Sequence, residues 1–379
     1  MRFGAHYFYS KNMNQQHYRV GEKTFVNAYA ALYESAQTGQ FSEGIAPQYH
    51  LDAYSAVDVA RLQHYTTGDL IKQKLAILRD TESRIRLHYT GGRDSHTILL
   101  SALEMGIEFD CLFTNTNSIV NDPSVEEEFV PGIEFAQTTG MHHIVHRPSI
   151  NDFEQVWTDP WCFTKYQDFY HGFWPCWSDL FLRDHDPDYL ELLGVDKPWY
   201  YVNGDDYYWI LNDATDYCIG RRHEDFFLGS IHPELTVKQV YQGYEFVKQR
   251  NKKGFVVYKD LPQKQFCRHL GLHDGIDVKH NEEKNRADFH ATGYFNNKHY
   301  RSMQQVLDLG RQDIVDAWRE TSSHLVEQLS PAPYGLETRT ILDGVKSTTT
   351  VARITAIFKI TPTNLELLPH ADINRLTAE

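Results

Sequence analysis

This sequence holds little that would serve metal–thiolate chemistry or the grip of a nucleic-acid backbone. Its 379 residues include five cysteines, Cys111, Cys162, Cys176, Cys218 and Cys267, and no two form a C-x-x-C pair. An odd, dispersed set argues against a disulfide framework, a zinc ribbon or an iron–sulfur site. Positive charge is also scarce: 37 Lys and Arg stand against 51 Asp and Glu, a formal net charge of −14. Proteins that track DNA or RNA draw most of their affinity from basic patches. Only Lys248-Gln249-Arg250-Asn251-Lys252-Lys253 is clearly basic, so nucleic acid is disfavoured and a small-molecule substrate is favoured. No apolar run approaches the roughly 18 residues of a membrane span, and the first residues lack a signal-peptide pattern. A cytoplasmic protein without membrane attachment is expected; self-association stays open.

What the chain does have is a strand–turn–helix rhythm. Residues 1–66 read as an N-terminal extension, with a helix expected over 23–36 and loop signals at Gly39, Gly44 and Pro47. A helix capped by Thr67 runs through Leu70, Ile71, Leu75 and Leu78. Strands follow at 85–89, 109–114 and 142–146, separated by helices over 97–105 and from the Glu126-Glu127-Glu128 run to Gly140. Such βαβαβ alternation predicts a parallel sheet with right-handed crossovers. An aromatic insertion spans 151–195. Trp199-Tyr200-Tyr201-Val202 is read as the fourth strand, ending in Asn203-Gly204-Asp205-Asp206. Residues 67–225 thus form an α/β domain, and 226–379 a mostly helical region that shapes the substrate site. His269 and His273 sit four apart, but Gly271 interrupts any helix that would pair them on a metal.

The chemistry concentrates after the first of these strands, in Thr90-Gly91-Gly92-Arg93-Asp94-Ser95. Glycines let backbone N–H groups close on a pyrophosphate, and a helix N-terminus adds unpaired donors and partial positive charge. Thr90 and Ser95 flank the cradle with hydroxyls. A carboxylate at Asp94 repels phosphate unless it holds Mg²⁺. No lysine follows as in a Walker A loop, and the glycine spacing does not fit G-x-G-x-x-G.

This loop resembles the S-G-G-x-D-S signature of the PP-loop ATP pyrophosphatases, with Thr90 in place of the first serine. The resemblance covers roughly residues 65–215. It implies a Rossmann-like open parallel sheet of order 3-2-1-4-5 with helices on both faces. It also implies ATP cleavage to AMP and pyrophosphate, with the adenine beside Leu112, Phe113 and Thr114. In that order strands one and four flank the topological switch point. Asp94 and Asp206 would then converge on Mg²⁺, with Asp205 a further ligand.

Asn203-Gly204-Asp205-Asp206-Tyr207 is similar to the G-x-D-E loop of the asparagine synthetase synthetase domain, although Tyr207 replaces the glutamate. Position 2 is Arg2 and no cysteine precedes Cys111, so the glutaminase nucleophile of that branch is missing and ammonia or an amine is the expected donor. The implied reaction is adenylation of a small-molecule carboxylate followed by amide formation. Modification of a nucleotide or nucleobase through an adenylated oxygen, and nucleotide binding without turnover, are the alternatives. Two candidates for the cation on the departing pyrophosphate are Arg93 and Lys346.

Overall fold

The computed structural model describes residues 17–25, 34, 37–39, 42–45, 51–115, 123–147, 149–151, 154, 189–194, 197–212, 223–229, 231–256, 261–276, 306–317, 336–340, 346–350 and 354–369. Most of the aromatic insertion lies outside them. The first elements form an antiparallel sheet of β1 (His17–Val20), β2 (Lys23–Phe25) and β3 (Ser42–Ile45), in the order β2-β1-β3. The start of the helix expected over 23–36 is therefore a strand. Gly21, at φ +58°, closes a two-residue hairpin in which Val20 pairs with Lys23.

Two short helices, α1 (Leu51–Ser55) and α2 (Val59–Leu62), precede the longer α3 (Thr67–Thr81). Its cap is Thr66 rather than Thr67. The Thr66 hydroxyl accepts from Asp69 N at 3.1 Å, and the Asp69 carboxylate accepts from Thr66 N at 2.9 Å, a reciprocal box that satisfies two end groups. Leu70, Ile71, Leu75 and Leu78 face the core.

A five-stranded parallel sheet follows. It contains β4 (Ile85–His88), β5 (Cys111–Asn115), β6 (His143–His146) and β7 (Leu190–Leu193). The crossover helices are α4 (Arg93–Glu104) and α5 (Pro123–Thr138). The Phe135 ring of α5 meets His96 of α4 at 4.9 Å, so both helices cover the same face of the sheet. This is what two right-handed crossovers moving in one direction require.

The assignment of Trp199–Val202 as the fourth parallel strand is overturned. Leu190–Leu193 pairs parallel with β4, with Arg86 opposite Glu191. The chain then leaves this sheet for a hairpin, β8 (Trp199–Asn203) and β9 (Asp206–Asn212), and returns with β10 (His223–Asp225), parallel to β7. The spatial order is β10-β7-β4-β5-β6. Counted along the chain from β4 it reads 3-2-1-4-7, which only roughly matches the expected 3-2-1-4-5. The two hairpin strands intervene, and the order becomes 3-2-1-4-5 when they are left out.

The hairpin seeds a second, antiparallel sheet. After α6 (Pro233–Lys248) come β11 (Gly254–Val256) and α7 (Gln263–His269). A separate ribbon of β12 (Leu336–Thr340) and β13 (Lys346–Thr350) is followed by β14 (Ile354–Ile360) and β15 (Leu365–Leu367). The second sheet has the order β11-β8-β9-β14-β15. One continuous core joins the two large sheets through α1, α3 and α6. Within it Trp209 stacks on Phe358 at 4.8 Å and Tyr54 meets Trp209 edge-on at 5.3 Å. The Tyr200 hydroxyl donates to Val240 O of α6, next to Gly243, where any side chain would collide with it.

Candidate functional site

The glycine loop runs from the C-terminal end of β4 into α4, and three glycines from three segments press together around it. Gly91 has φ +75°, a conformation that favours glycine. A Cβ there would lie 2.9 Å from Gly132 Cα in α5. A Cβ on Gly132 would meet Thr90 O at 3.0 Å, and one on Gly275 would meet Gly91 O and Arg93 N at 2.9 Å. Ile276 N donates to Gly91 O at 3.0 Å, and His273 N to the Thr97 hydroxyl at 2.9 Å. Segment 271–276 is therefore tied across the loop.

The two loop hydroxyls serve the loop itself. Ser95 is buried; its Oγ accepts from Thr90 N and donates to Gly92 O, both at 3.3 Å. Thr90 Oγ1 accepts from Gly92 N at 3.4 Å. Gly92 caps α4 without any side-chain bond. The first-turn N–H groups of a helix have no intrahelical acceptor, so Asp94 and Ser95 present amide donors at the mouth of the loop.

Directly across the gap between β4 and β7 stands a residue that the sequence reading passed over. Lys197 Nζ lies 2.5 Å from Asp94 Oδ1, with the lysine side chain 7% and the aspartate 21% exposed. Gly194, just past β7, makes the approach possible: its Cβ would sit 3.1 Å from Asp94 Cβ. In an open α/β sheet, ligands bind outside the carboxyl ends of the strands where the strand order reverses. Here that place lies between β4 and β7, and it holds the glycine loop, Asp94 and Lys197. Compared with known proteins, the chain matches no family model, no curated protein and no solved structure.

The remaining site candidates fall elsewhere. Asp205 and Asp206 belong to the exposed β8–β9 hairpin turn, where Gly204 has φ +60° and Asn203 pairs with Asp206. The Asp206 carboxylate is bonded to Lys359 of β14 at 2.8 Å. The expected convergence of Asp206 with Asp94 is therefore replaced by the Lys197–Asp94 pair. Arg93 is buried in the first turn of α4, near enough to Asp274 to help hold that carboxyl below its usual range, after the Arg268 hydrogen bond. Lys346 begins β13 in the separate ribbon, opposite Thr340. Leu112 is core, and the Thr114 hydroxyl bonds Tyr89 O at 2.5 Å and His143 Nε2 at 2.9 Å. Phe113 points to the opposite face, 5.4 Å from His88 and stacked with His146 at 6.4 Å.

Among the described residues, no group of three His, Cys, Asp or Glu side chains is placed to hold a metal. With an ammonium at 2.5 Å, Asp94 as it stands does not fit a divalent ion. The β7 strand also continues in sequence as Gly194-Val195-Asp196-Lys197, a G-x-D pattern of which Val195 and Asp196 lie outside the described residues.

A buried polar network lies on the face away from α4. Glu191 is fully buried, with Oε2 2.8 Å from His88 Nε2 and Oε1 3.3 Å from Arg86 Nη1. Arg84 and Arg86 lie over the Tyr189 ring at 3.9 and 4.5 Å. On the α4 face, His96 Nδ1 pairs with the Tyr89 hydroxyl at 3.0 Å. Burial, with a smaller contribution from His273, pushes the His96 imidazole down to about 4.

Proposed function

We propose that this chain is a PP-loop ATP pyrophosphatase. On this reading it adenylates a small-molecule carboxylate for amide formation, on a Rossmann-like frame with helices on both faces. The observation that carries the reading is the pairing of a glycine-rich β4–α4 loop with a buried lysine across the point where the parallel strand order reverses. Phosphate at that point meets amide donors of the first turn of α4 and the positive end of the helix. An oxygen of the substrate attacks the α-phosphorus, and the bond from that phosphorus to the bridging oxygen of the β-phosphate breaks. Lys197, paired with the loop's own Asp94 at 2.5 Å, is assigned here as the cation that meets the departing pyrophosphate. Fixed charge in a water-poor site is worth about 10²–10³ in rate for one well-placed donor. The adenylate is then open to ammonia or an amine.

ATP:pyrophosphate exchange, measured with a panel of candidate acids, tests this. Asp94→Asn and Lys197→Met should each lower exchange by about two orders of magnitude or more, whereas Asp206→Asn should leave it unchanged because Asp206 sits on the second sheet. Exchange that survives Asp94→Asn at full rate would overturn the assignment. ATP binding without exchange for any acid would favour a nucleotide-binding module instead.

A further inference from the structure

The Lys197–Asp94 pair sits where the loop signature leads one to expect a metal, and the disagreement is informative. Asp94 is the loop's own carboxylate, and its Oδ1 already has a full positive charge 2.5 Å away. The lysine is shielded from water, its side chain 7% exposed against 21% for the aspartate, and Gly194 closes against Asp94 so tightly that a Cβ there would lie 3.1 Å from it. A shielded ammonium depends on its counter-ion, because leaving it uncompensated is strongly destabilising. A second, doubly charged cation at the same carboxylate would have to displace the ammonium or bear its repulsion at close range.

We propose that Lys197 is a built-in cation that holds Asp94 against divalent metal. In the protein alone the ammonium neutralises the carboxylate, so the loop does not load metal. Lys197 lies four residues past the end of β7, and the pairing of β7 with β4 brings it to the loop's carboxylate. The exclusion of metal from the protein alone does not depend on the nucleotide reading above.

The test is a Mn²⁺ titration of the full-length protein without nucleotide, with free Mn²⁺ followed by its electron paramagnetic resonance signal. Lys197→Gln should gain a Mn²⁺ site at least about tenfold tighter than any in the wild type, a free-energy difference of ~1.4 kcal/mol. Lys197→Gln/Asp94→Asn should lose that site again. Lys197→Arg keeps the charge and should behave as the wild type, so it reports on the idea even if the glutamine variant fails to fold. A wild type that binds Mn²⁺ as tightly as Lys197→Gln overturns the proposal, as does a Lys197→Arg protein that binds it tightly. A parallel ATP titration separates the two readings. Absence of ATP binding in every form removes the proposed function, while the Mn²⁺ contrast between wild type and Lys197→Gln still decides the role of Lys197.

Discussion

Replacing Gly91 by alanine tests the loop's architecture most directly, because the structure supplies its own control. Gly91 and Gly106 both have positive φ, +75° and +66°. A Cβ on Gly106, past the end of α4, meets nothing within 4 Å, whereas one on Gly91 lies 2.9 Å from the Gly132 backbone. Gly106→Ala therefore measures the left-handed backbone strain alone, about 1–2 kcal/mol. Gly91→Ala adds a backbone collision, and overpacking of this kind costs about 1–3 kcal/mol more. The expected difference is about 2 kcal/mol between two otherwise identical substitutions, read from urea midpoints at unchanged slope. Nucleotide affinity should fall in Gly91→Ala and be preserved in Gly106→Ala. Gly132→Ala supplies a sign check. In an open helix that change would stabilise by up to about 1 kcal/mol, but here the added atom would lie 3.0 Å from Thr90 O, so a net loss is expected. Equal midpoints for Gly91→Ala and Gly106→Ala, or a stabilised Gly132→Ala, would refute the three-glycine packing.

Two further outcomes follow from buried charge. Glu191→Leu removes the carboxylate between Arg86 and His88 inside the parallel sheet. It should cost about 3–5 kcal/mol in urea unfolding; a loss below 1 kcal/mol would mean that the network contributes little. His96 has its imidazole depressed to about 4 by burial. The unfolded chain, with an ordinary value of about 6.5, binds the proton more readily, so His96 favours the folded state above pH 6.5. That contribution is lost as the pH falls toward 4, by about 2 kcal/mol between pH 7.5 and 5. In His96→Phe this part of the acid sensitivity should vanish, and an unchanged pH profile would exclude His96 as its source.

The parallel half of the fold was legible because its strands and crossover helices are local patterns. Ile85–His88, Cys111–Asn115 and His143–His146 fall where the apolar runs place them, and the glycine loop joins strand to helix as expected. The fourth strand was not legible, for a physical reason. Strands inside a parallel sheet are short, unbroken apolar runs, and Leu190-Glu191-Leu192-Leu193 interrupts its own run with a glutamate that only the folded sheet provides with partners, Arg86 and His88. Trp199-Tyr200-Tyr201-Val202 looked the better strand. Its flanking signal, Gly204 in a two-residue turn between two aromatic runs, marks an antiparallel hairpin. Assigning that hairpin to the parallel sheet moved the second half of the site to Asp206 and hid Lys197. Gly194 after Leu190-Glu191-Leu192-Leu193 was the available clue: a glycine at the end of a buried strand signals close backbone approach, and what approaches here is Asp94. The site thus depends on a residue 103 positions away in sequence from its partner, a pairing that local periodicity cannot encode and that only the placement of β7 beside β4 brings about.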